Sequence, residues 1–373
     1  MNPPSSSEAV FCDFNAGAPA SEEVLAAFVE AERTCPGNPA SVHATGRHAR
    51  GGLEQARERI GKALGVAAAD VVFTSGATEA ANLAVAGLGD PALPVLLSEA
   101  EHPAVFEPAL LRGMQMWPVD EHGVAQVRAP EGRVGMLSLV HSQSELGTLQ
   151  PVLEARALAD RLGVPLFVDA AQSLGRVPLD PVLATSAIVA LSPHKAGGLR
   201  GHGVLVGRDL HRRLRPMLRG GGQELGLRPG TQSPALALAN ALAIELAVRE
   251  QPQRSARMEA ARRAFLNGLC GAVEHRVLTP VANSVPNTAM LSFPDIDGRN
   301  LLPALDLAGV HASHGAACSS GSPTPPRILA AIGLAAPAAR ACVRFSFGWR
   351  VDATPWHDVG ARVGAIVQRL KKN

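Results

Sequence analysis

The amino-acid sequence predicts an α/β fold, in which helices sandwich a mainly parallel sheet, together with a smaller α+β domain. Short apolar runs alternate with helical patterns over most of the first 230 of the 373 residues, which is typical of parallel strands joined by helices. These runs are apolar at nearly every position, as expected for strands that are buried on both faces. Beyond Gly230 the pattern changes to long helices with short strand-like pieces between them.

Polar residues stand at or just after the ends of several predicted strands. The carboxyl ends of parallel strands meet at one edge of a sheet, and ligands bind outside that edge. We therefore expect these polar residues to converge on one ligand site. They are Thr74, Glu101, Asp169 and Ser192. The strands themselves are expected at Asp70–Phe73, Pro94–Leu97, Val134–Val140, Val164–Val168 and Ala187–Leu191.

Two domains are expected from the chain length and from the change of pattern. The larger spans residues 15–250 and the smaller residues 251–373, with the N-terminal segment 1–14 packing on the smaller one. The elements expected on either side of the boundary are helices over Ser233–Ala247 and Arg254–Cys270 and strands over Asn287–Phe293 and Ala341–Phe347.

The composition excludes several classes of protein. A hydrophobic content of 46% with 18% charged residues is typical of a globular protein. A net charge of +2, an aromatic content of 3% and the absence of tyrosine give no basis for nucleic-acid binding. The longest apolar stretch, Pro234–Val248, contains Asn240 and Glu245 and is shorter than the roughly 18 residues of a membrane span.

A cytoplasmic location is expected from the N-terminus and from the cysteines. Residues 1–7 lack a basic segment followed by an apolar one, so no signal peptide is expected. The chain has five cysteines and no CxxC pair, which is typical of a reducing compartment.

Lys195 is the strongest candidate for covalent chemistry. It ends the segment Ser192-Pro193-His194-Lys195, between a predicted buried strand and the glycine-rich residues 197–203. A lysine placed there, where a ligand can come close, is expected to form a Schiff base with pyridoxal phosphate. The other lysines are Lys62, in a polar helical pattern expected over Glu54–Leu64, and Lys371 and Lys372 at the C-terminus.

Asp169 ends a predicted strand that is otherwise apolar. A buried carboxylate needs a cationic partner. The protonated pyridine nitrogen of the cofactor would supply one, and the pairing would keep the ring an electron sink. A carboxylate that caps the next helix or binds a metal is the alternative, and it is about as common when Asp169 is considered alone.

Residues 74–78, Thr-Ser-Gly-Ala-Thr, are a candidate phosphate cradle. Hydroxyl groups, a glycine and a helix N-terminus together offer free backbone N–H groups and a favourable dipole. Ser192 and His194 could add donors to the same phosphate. The alternative is an ordinary helix start with Glu79 in the first turn.

His102 lies just past another predicted strand. Its imidazole could stack on a planar cofactor and move protons. A solvated loop histidine is the alternative.

Cys318 lies in a loop rich in glycine, serine and alanine, residues 311–321. Small residues suggest mobility and exposure, which suit a reactive thiolate. A structural cysteine is one alternative, and a metal site with His311 and His314 is another. We expect no metal, because this spacing matches no common zinc pattern and no fourth ligand is evident.

Arg344 lies within a strand-like run and needs an anion. A substrate carboxylate bound by two hydrogen bonds is one candidate, and an internal ion pair is the other. Residues 219–231 are too rich in glycine for a regular element, so we expect a loop shaped for close approach to a ligand or to a neighbouring subunit.

Eight short motifs, taken in order, resemble those of the cysteine desulfurases (NifS/IscS-type), a group within the class V aminotransferases of fold-type I pyridoxal phosphate enzymes. The resemblance runs from Asp13 to about Thr354. Each motif is modest, but the ordered set is highly specific. The motifs are residues 37–43, 73–82, 101–104, 144–151, 168–175, 192–195, 220–231 and 314–321.

The resemblance implies how a cofactor would be held. Lys195 would carry pyridoxal phosphate, Asp169 would pair with its pyridine nitrogen and Gln172 with its ring oxygen. His102 would stack on the ring. The phosphate would be bound by Ala77, Thr78, Ser192 and His194, and by Thr231 from the second subunit of a homodimer.

The resemblance also implies a reaction, the release of sulfur from L-cysteine. Arg344 would bind the substrate carboxylate, with Asn15 and Gln143 beside the substrate. Lys195 would take the Cα proton, and the Cys318 thiolate would attack the substrate sulfur. Alanine would leave, and a persulfide would remain on Cys318 for an acceptor protein, as in iron–sulfur cluster biogenesis.

The chain departs from the family pattern at a few positions. Gln143-Ser144 replaces the usual Asn-Asn pair, Asn15-Ala16-Gly17-Ala18 replaces Asn-Ala-Thr-Thr, and Trp349 is inserted. Two alternatives follow. One is another class V enzyme, an aminotransferase or a selenocysteine lyase, that acts on a different amino acid. The other is a non-enzymatic binding protein with the same fold.

Overall fold

The computed structural model describes residues 9–315, 325–350 and 354–371 of the chain. The strands in these residues are β1 (Val10–Phe11), β2 (Val71–Thr74), β3 (Val95–Ser98), β4 (Met114–Trp117), β5 (Met136–Val140), β6 (Leu166–Asp169), β7 (Ile188–Leu191), β8 (Gly203–Val206), β9 (Arg276–Val277), β10 (Thr288–Ser292), β11 (Val310–His311) and β12 (Cys342–Ser346).

The helices lie between and after these strands. They are α1 (Glu22–Thr34), α2 (Ala44–Leu64), α3 (Ala77–Gly87), α4 (Pro103–Arg112), α5 (Val152–Leu162), α6 (Asp180–Leu183), α7 (Leu210–Arg213), α8 (Pro234–Arg249), α9 (Gln251–Leu269), α10 (Gly298–Leu307), α11 (Arg327–Ala331), α12 (Ala336–Arg340) and α13 (Trp356–Lys371). No helix in the described part of the chain is both long and apolar enough to cross a membrane.

A seven-stranded sheet positions the site. Its strand order is β2-β8-β7-β6-β5-β3-β4. The strands from β4 to β7 pair in parallel, and β8 runs antiparallel to both of its neighbours. Asp169 is in register with Val140 on one side and Ala190 on the other, so the segments that follow β5, β6 and β7 leave the sheet at the same edge.

Helices cover both faces of this sheet. Leu166 and Val168 of β6 pack in a core with residues of α2, α5 and α8, whereas Phe167 faces α3 and α4 on the other side. Every residue of β6 and β7 is buried, because strands covered on both faces have no solvent side. The predicted fold class, a mainly parallel sheet sandwiched by helices, is confirmed.

The later part of the chain forms an antiparallel sheet of order β12-β10-β9, on which α9 and α13 pack. Phe265 of α9 stacks against Phe345 and Phe347 in this core. The N-terminal strand β1 pairs with β11, and Cys12 belongs to the same apolar cluster. These contacts bring the N-terminal segment and β12 to the edge where the large sheet ends.

Two helices are longer than the sequence pattern predicts. The polar helix that carries Lys62 begins at Ala44 rather than Glu54. Its glycines weaken the helical pattern in the sequence, but two of them are closely packed: a Cβ on Gly46 would lie 2.5 Å from Ser41, and one on Gly52 would lie 2.9 Å from the Cys35 sulfur. Helix α9 begins at Gln251 rather than Arg254, because proline is well tolerated in the first turn of a helix.

Candidate active site

A cavity of about 400 Å³ lies outside the carboxyl ends of β2, β3, β5, β6 and β7. Its volume falls within the range of small-molecule sites. The structure brings most of the sequence-predicted residues to its wall. Those that line it are Asn15, Ala77, Thr78, His102, Asp169, Gln172, Ser192, His194, Lys195 and Arg344.

Lys195 reaches the cavity from a 3₁₀ turn, Pro193–Lys195, which follows β7 directly. Burial lowers the pKa of its amine to about 8, with the positive charges of Arg176 and Arg344 acting in the same direction and Asp169 opposing them. A buried amine that loses its proton this readily is a good nucleophile for an aldehyde.

Asp169 ends β6 and is buried, with 4% of the residue exposed. The backbone N–H of Ala171 donates to Oδ1 over 2.9 Å. Because residues 171–176 form turns rather than a helix, this oxygen closes a turn, and the helix-capping alternative is wrong. The other oxygen remains for a ligand in the cavity. The described residues contain no cluster of three histidine, cysteine or acidic side chains that could hold a metal ion.

The start of α3 has the features of an anion cradle. Gly76, the residue before the helix, provides no side-chain cap, and residues 75–78 line the cavity. The first N–H groups of a helix have no intrahelical acceptor and carry the positive end of its dipole. Glu79 lies in the first turn of the helix. Its carboxylate accepts from the Ser75 N–H over 2.6 Å and pairs with Arg228 at 2.8 Å.

Ser192 and His194 line the same cavity as this cradle. The Ser192 hydroxyl and Nδ1 of His194 are 3.0 Å apart. Burial and the adjacent Lys195 lower the pKa of His194 to about 4, so its ring is neutral at pH 7. Arg200 also lines the cavity, and its charge suits an anionic ligand. The sequence analysis missed Arg200, although it lies in the glycine-rich loop after Lys195.

His102 is the residue before α4, and the Ala104 N–H donates to its Nδ1 over 3.0 Å. Burial lowers the pKa of this imidazole, with Asp169 opposing the effect. Because Nδ1 accepts a hydrogen bond, the neutral ring carries its proton on Nε2. His102 is therefore tied to the helix rather than solvated.

Glu101 is a buried acid that the sequence analysis noted only as a strand-end residue. The Ser138 hydroxyl donates to its Oε1 over 3.0 Å, while Oε2 has no hydrogen-bond partner among the described residues. Burial and the nearby Asp169 raise the pKa of this carboxyl to about 8. Glu101 is therefore mostly protonated at pH 7.

Arg344 reaches the cavity from β12. Its Nη2 lies 2.8 Å from Oδ1 of Asp13, and its Nη1 donates to the Ser144 carbonyl over 3.0 Å. The buried Nε has no partner among the described residues. The internal ion pair considered for this arginine is therefore present, and the Nε–H group remains available to a ligand. Asn15 joins the group, because its Nδ2 donates to the same Ser144 carbonyl over 3.0 Å.

Among the described residues, four that were predicted at the site do not line this cavity: Thr74, Glu101, Gln143 and Thr231. The side-chain Oε1 of Gln143 accepts from the N–H groups of Glu145 and Leu146, at 2.8 and 2.6 Å, so the side-chain amide is held by its own turn while Ser144 and Glu145 line the wall. Thr231 is exposed and away from this chain's cavity. Cys318 lies outside the described residues.

The chain is similar to known proteins over most of its length. The model of the family described as "Aminotransferase class-V" matches residues 10–354. The chain is 32% identical to cysteine desulfurase IscS of Dictyoglomus turgidum, over 91% of this chain and 89% of the relative. It is also 32% identical to cysteine desulfurase NifS of Azotobacter vinelandii, over 97% of this chain and 93% of that protein.

Solved structures show the same fold. A NifS-like protein, 29% identical, superposes with a TM-score of 0.85 over 97% of this chain and all of that one. A structure described as SspA in complex with cysteine has a TM-score of 0.78 and 26% identity over 91% of this chain. The chain therefore belongs to the class V aminotransferase family and groups with its NifS- and IscS-type cysteine desulfurases.

Proposed function

We propose that this protein is a pyridoxal phosphate-dependent cysteine desulfurase, which converts L-cysteine to L-alanine and holds the sulfur as a persulfide on Cys318. The observation that carries the proposal is the buried amine of Lys195, which shares one cavity with Asp169 and Arg344. The two sequence relatives described above are named cysteine desulfurases, which supports the substrate.

The residues around the cavity suit the cofactor. The uncapped start of α3, Ser192 and Arg200 offer donors and positive charge for a phosphate. Asp169 offers a carboxylate for a protonated ring nitrogen, and Gln172 offers an amide N–H for a ring oxygen. When bound, pyridoxal phosphate would supply an electron sink that makes the substrate Cα–H acidic.

The chain's own groups suit the handling of the substrate. The Nε of Arg344 is a buried donor without a partner in the described structure, so a substrate carboxylate would satisfy this unpaired donor. Lys195, whose pKa is lowered to about 8, would accept the Cα proton near neutral pH. Neutral His102 would present Nε2–H to the cavity.

Cys318 would carry the sulfur. Its thiolate attacks the sulfur of the substrate, so that an S–S bond forms as the substrate C–S bond breaks. The electron pair of the broken bond stays with the substrate carbon, which takes up a proton as alanine forms. The electrons balance without an external oxidant or reductant, because the substrate carbon is reduced as sulfur is oxidised to the level of a persulfide.

The partners follow from the same proposal. A homodimer would bring Thr231 of a second subunit to the phosphate, and exposed Thr231 is free to make such a contact. A sulfur-acceptor protein would take the persulfide sulfur. A cytoplasmic location stays a prediction from the sequence.

The experiment is to incubate the purified protein with L-cysteine, quantify alanine and map persulfide by mass spectrometry. We expect alanine in proportion to turnover and the added sulfur on Cys318. Cys318→Ala should retain the cofactor absorbance and form no persulfide. Cys270→Ala is the matched control, because Cys270 is an exposed free cysteine elsewhere, and it should behave as wild type.

Persulfide formation at the normal rate in Cys318→Ala would contradict the role of this cysteine. No alanine from L-cysteine, together with turnover of a different amino acid, would favour the alternative class V enzyme. The side-chain amide of Gln143 is held by its own turn and does not line the cavity. This observation is the reason to test the alternative enzyme.

A further inference from the structure

Arg176 is a fully buried arginine directly behind the cavity, and the sequence analysis gave it no role. It follows β6 by a few residues and is 2% exposed. Its acceptors in the described structure are all neutral oxygens. Nη1 donates to the Gln172 side-chain oxygen and, over 3.1 Å, to the Gln172 carbonyl. Nη2 donates to the carbonyls of Phe14, at 3.1 Å, and Lys195, at 3.5 Å.

These acceptors belong to three separate parts of the cavity wall. Gln172 lies after β6, Phe14 precedes Asn15 in the N-terminal segment, and Lys195 lies after β7. One planar guanidinium therefore spans three segments that meet only through tertiary structure. Its backbone is held as well, since the Gln251 side chain donates to the Arg176 carbonyl over 3.0 Å.

The contacts of Gln172 fix which way its amide points. Arginine can only donate, so the Gln172 atom that faces Arg176 must be the oxygen. A carbonyl can only accept, so the atom that lies 3.0 Å from the Asn15 carbonyl must be the Nε2 nitrogen. Both constraints give the same orientation. One N–H of Nε2 is used by Asn15, and the second remains for an acceptor in the cavity.

The charge on Arg176 has no counter-ion in the described chain. Burial lowers its pKa to about 9, and Arg344 adds to the effect, so the group still carries its charge at pH 7. Arg254 is a useful contrast. It is also buried and donates to the carbonyl of Ala196, next to Lys195, at 2.9 Å, but Glu250 pairs with it at 3.1 Å.

We propose that Arg176 is a positioning residue for the cofactor site, which aims Gln172 as a hydrogen-bond donor and places an uncompensated positive charge behind Lys195. The ligand atom opposite Gln172 must then be an acceptor oxygen, as the ring oxygen of pyridoxal phosphate is. The positive charge favours the neutral form of the lysine nitrogen. This inference rests on the proposed function, since it assigns a residue that prepares the same site.

Other charges around Lys195 act together with Arg176. Arg344 on β12 disfavours the protonated amine, and Asp169 after β6 and Glu145 after β5 favour it. The neighbouring histidines, His102 and His194, have lowered pKa values and are neutral at pH 7. Removing Arg176 therefore leaves two carboxylates against one arginine, and the balance shifts toward a protonated nitrogen.

The test compares Arg176→Met, Arg176→Lys and Arg254→Met as purified holoenzymes and after removal of the cofactor. One readout is the pH midpoint of the visible absorbance change of the bound cofactor. The other is the dissociation constant of the apoprotein for pyridoxal phosphate. Neither readout requires turnover.

Arg176→Met should raise the absorbance midpoint by about one pH unit, because a nearby buried charge is lost. Arg176→Lys should keep the midpoint near that of wild type but bind pyridoxal phosphate roughly fivefold more weakly, because an ammonium cannot bridge the three segments. Arg254→Met should leave the midpoint unchanged, because it removes a charge that was already paired.

An unchanged absorbance midpoint in Arg176→Met would overturn the role of the positive charge behind Lys195. Wild-type affinity for pyridoxal phosphate in Arg176→Lys would overturn the positioning role. If Arg176→Met does not fold, the affinity of Arg176→Lys still decides the positioning role. A wild-type protein without visible absorbance would instead contradict the proposed function itself, so the two failures are distinguishable.

Discussion

The guanidinium of Arg344 and the carboxylate of Asp13 form an ion pair of 2.8 Å at the rim of the cavity. The side chain of Arg344 is 2% exposed and that of Asp13 is 20% exposed. Asp13 holds one end of the guanidinium and the Ser144 carbonyl holds the other end. The arginine is therefore oriented before any substrate arrives, which reduces the entropy lost when a carboxylate binds.

The first prediction concerns this pair. Arg344→Lys should lower kcat/KM for L-cysteine by about tenfold or more, mainly through KM, because an ammonium cannot reproduce the guanidinium fork. Asp13→Asn should raise KM less, because the guanidinium loses its orientation but keeps its charge. Steady-state kinetics measure both. Arg340→Lys on exposed α12 is the control, and an effect there equal to that of Arg344→Lys would contradict the assignment.

The second prediction concerns Asp169. Asp169→Asn keeps an oxygen that can accept from the Ala171 N–H, so the fold should persist. The charge that stabilises a protonated ring nitrogen is lost, and kcat should fall by about 100-fold or more while the cofactor stays bound. Cofactor absorbance and alanine release measure the two effects separately. Wild-type kcat in this variant would remove Asp169 from the catalytic account.

The third prediction concerns Glu101, whose pKa is raised to about 8 by burial and by Asp169. The folded protein binds this proton more tightly than the unfolded chain does, so the stability that it contributes is lost as pH rises through about 8. Glu101→Gln mimics the protonated acid. Its melting temperature relative to wild type should be higher at pH 9 than at pH 6 by roughly 2 °C or more, because wild type loses this stability progressively over that range.

Thermal melts at the two pH values check this expectation. Glu99→Gln, two positions earlier at a residue that is only half-buried, is the control and should not gain stability selectively at high pH. An equal difference between Glu101→Gln and wild type at both pH values would show that Glu101 is already ionised in the folded protein.

The fourth prediction concerns the cradle at the start of α3. A Cβ on Gly203 would lie 2.5 Å from the Gly76 backbone, so Gly203→Ala must push the two segments apart. We expect a loss of about 1–3 kcal/mol in unfolding free energy and weaker binding of pyridoxal phosphate. Gly51→Ala is the control, since nothing lies near its Cβ position on α2, and it should be neutral or stabilising. Unchanged cofactor affinity in Gly203→Ala would argue against the cradle.

Much of the sheet edge could be predicted from the sequence because its signals are local. Apolar runs mark β6 and β7, and a residue that ends such a strand must lie at the edge of the sheet. Asp169 and Lys195 are found in this way. Gly163, which closes α5 with a φ of 66°, is equally local, because glycine adopts that conformation without a steric penalty.

The rest of the site depends on contacts between distant parts of the chain. Asn15 donates to Thr288 across 273 positions, and Arg344 pairs with Asp13 across 331. No periodic pattern in the sequence predicts contacts between residues this far apart. In the sequence, nothing around Arg176 distinguishes it from a surface arginine, and only the fold shows that it is buried. The side-chain amide of Gln143 was expected beside the substrate, but its oxygen accepts hydrogen bonds from the backbone of the turn around Glu145.

The most direct measurement is to reduce the purified protein with borohydride, digest it and find the lysine that carries the pyridoxal phosphate mass. The account predicts the label on the peptide that contains Lys195, the buried lysine at the cavity wall. A label on exposed Lys62 instead, or no label on protein saturated with the cofactor, would contradict it.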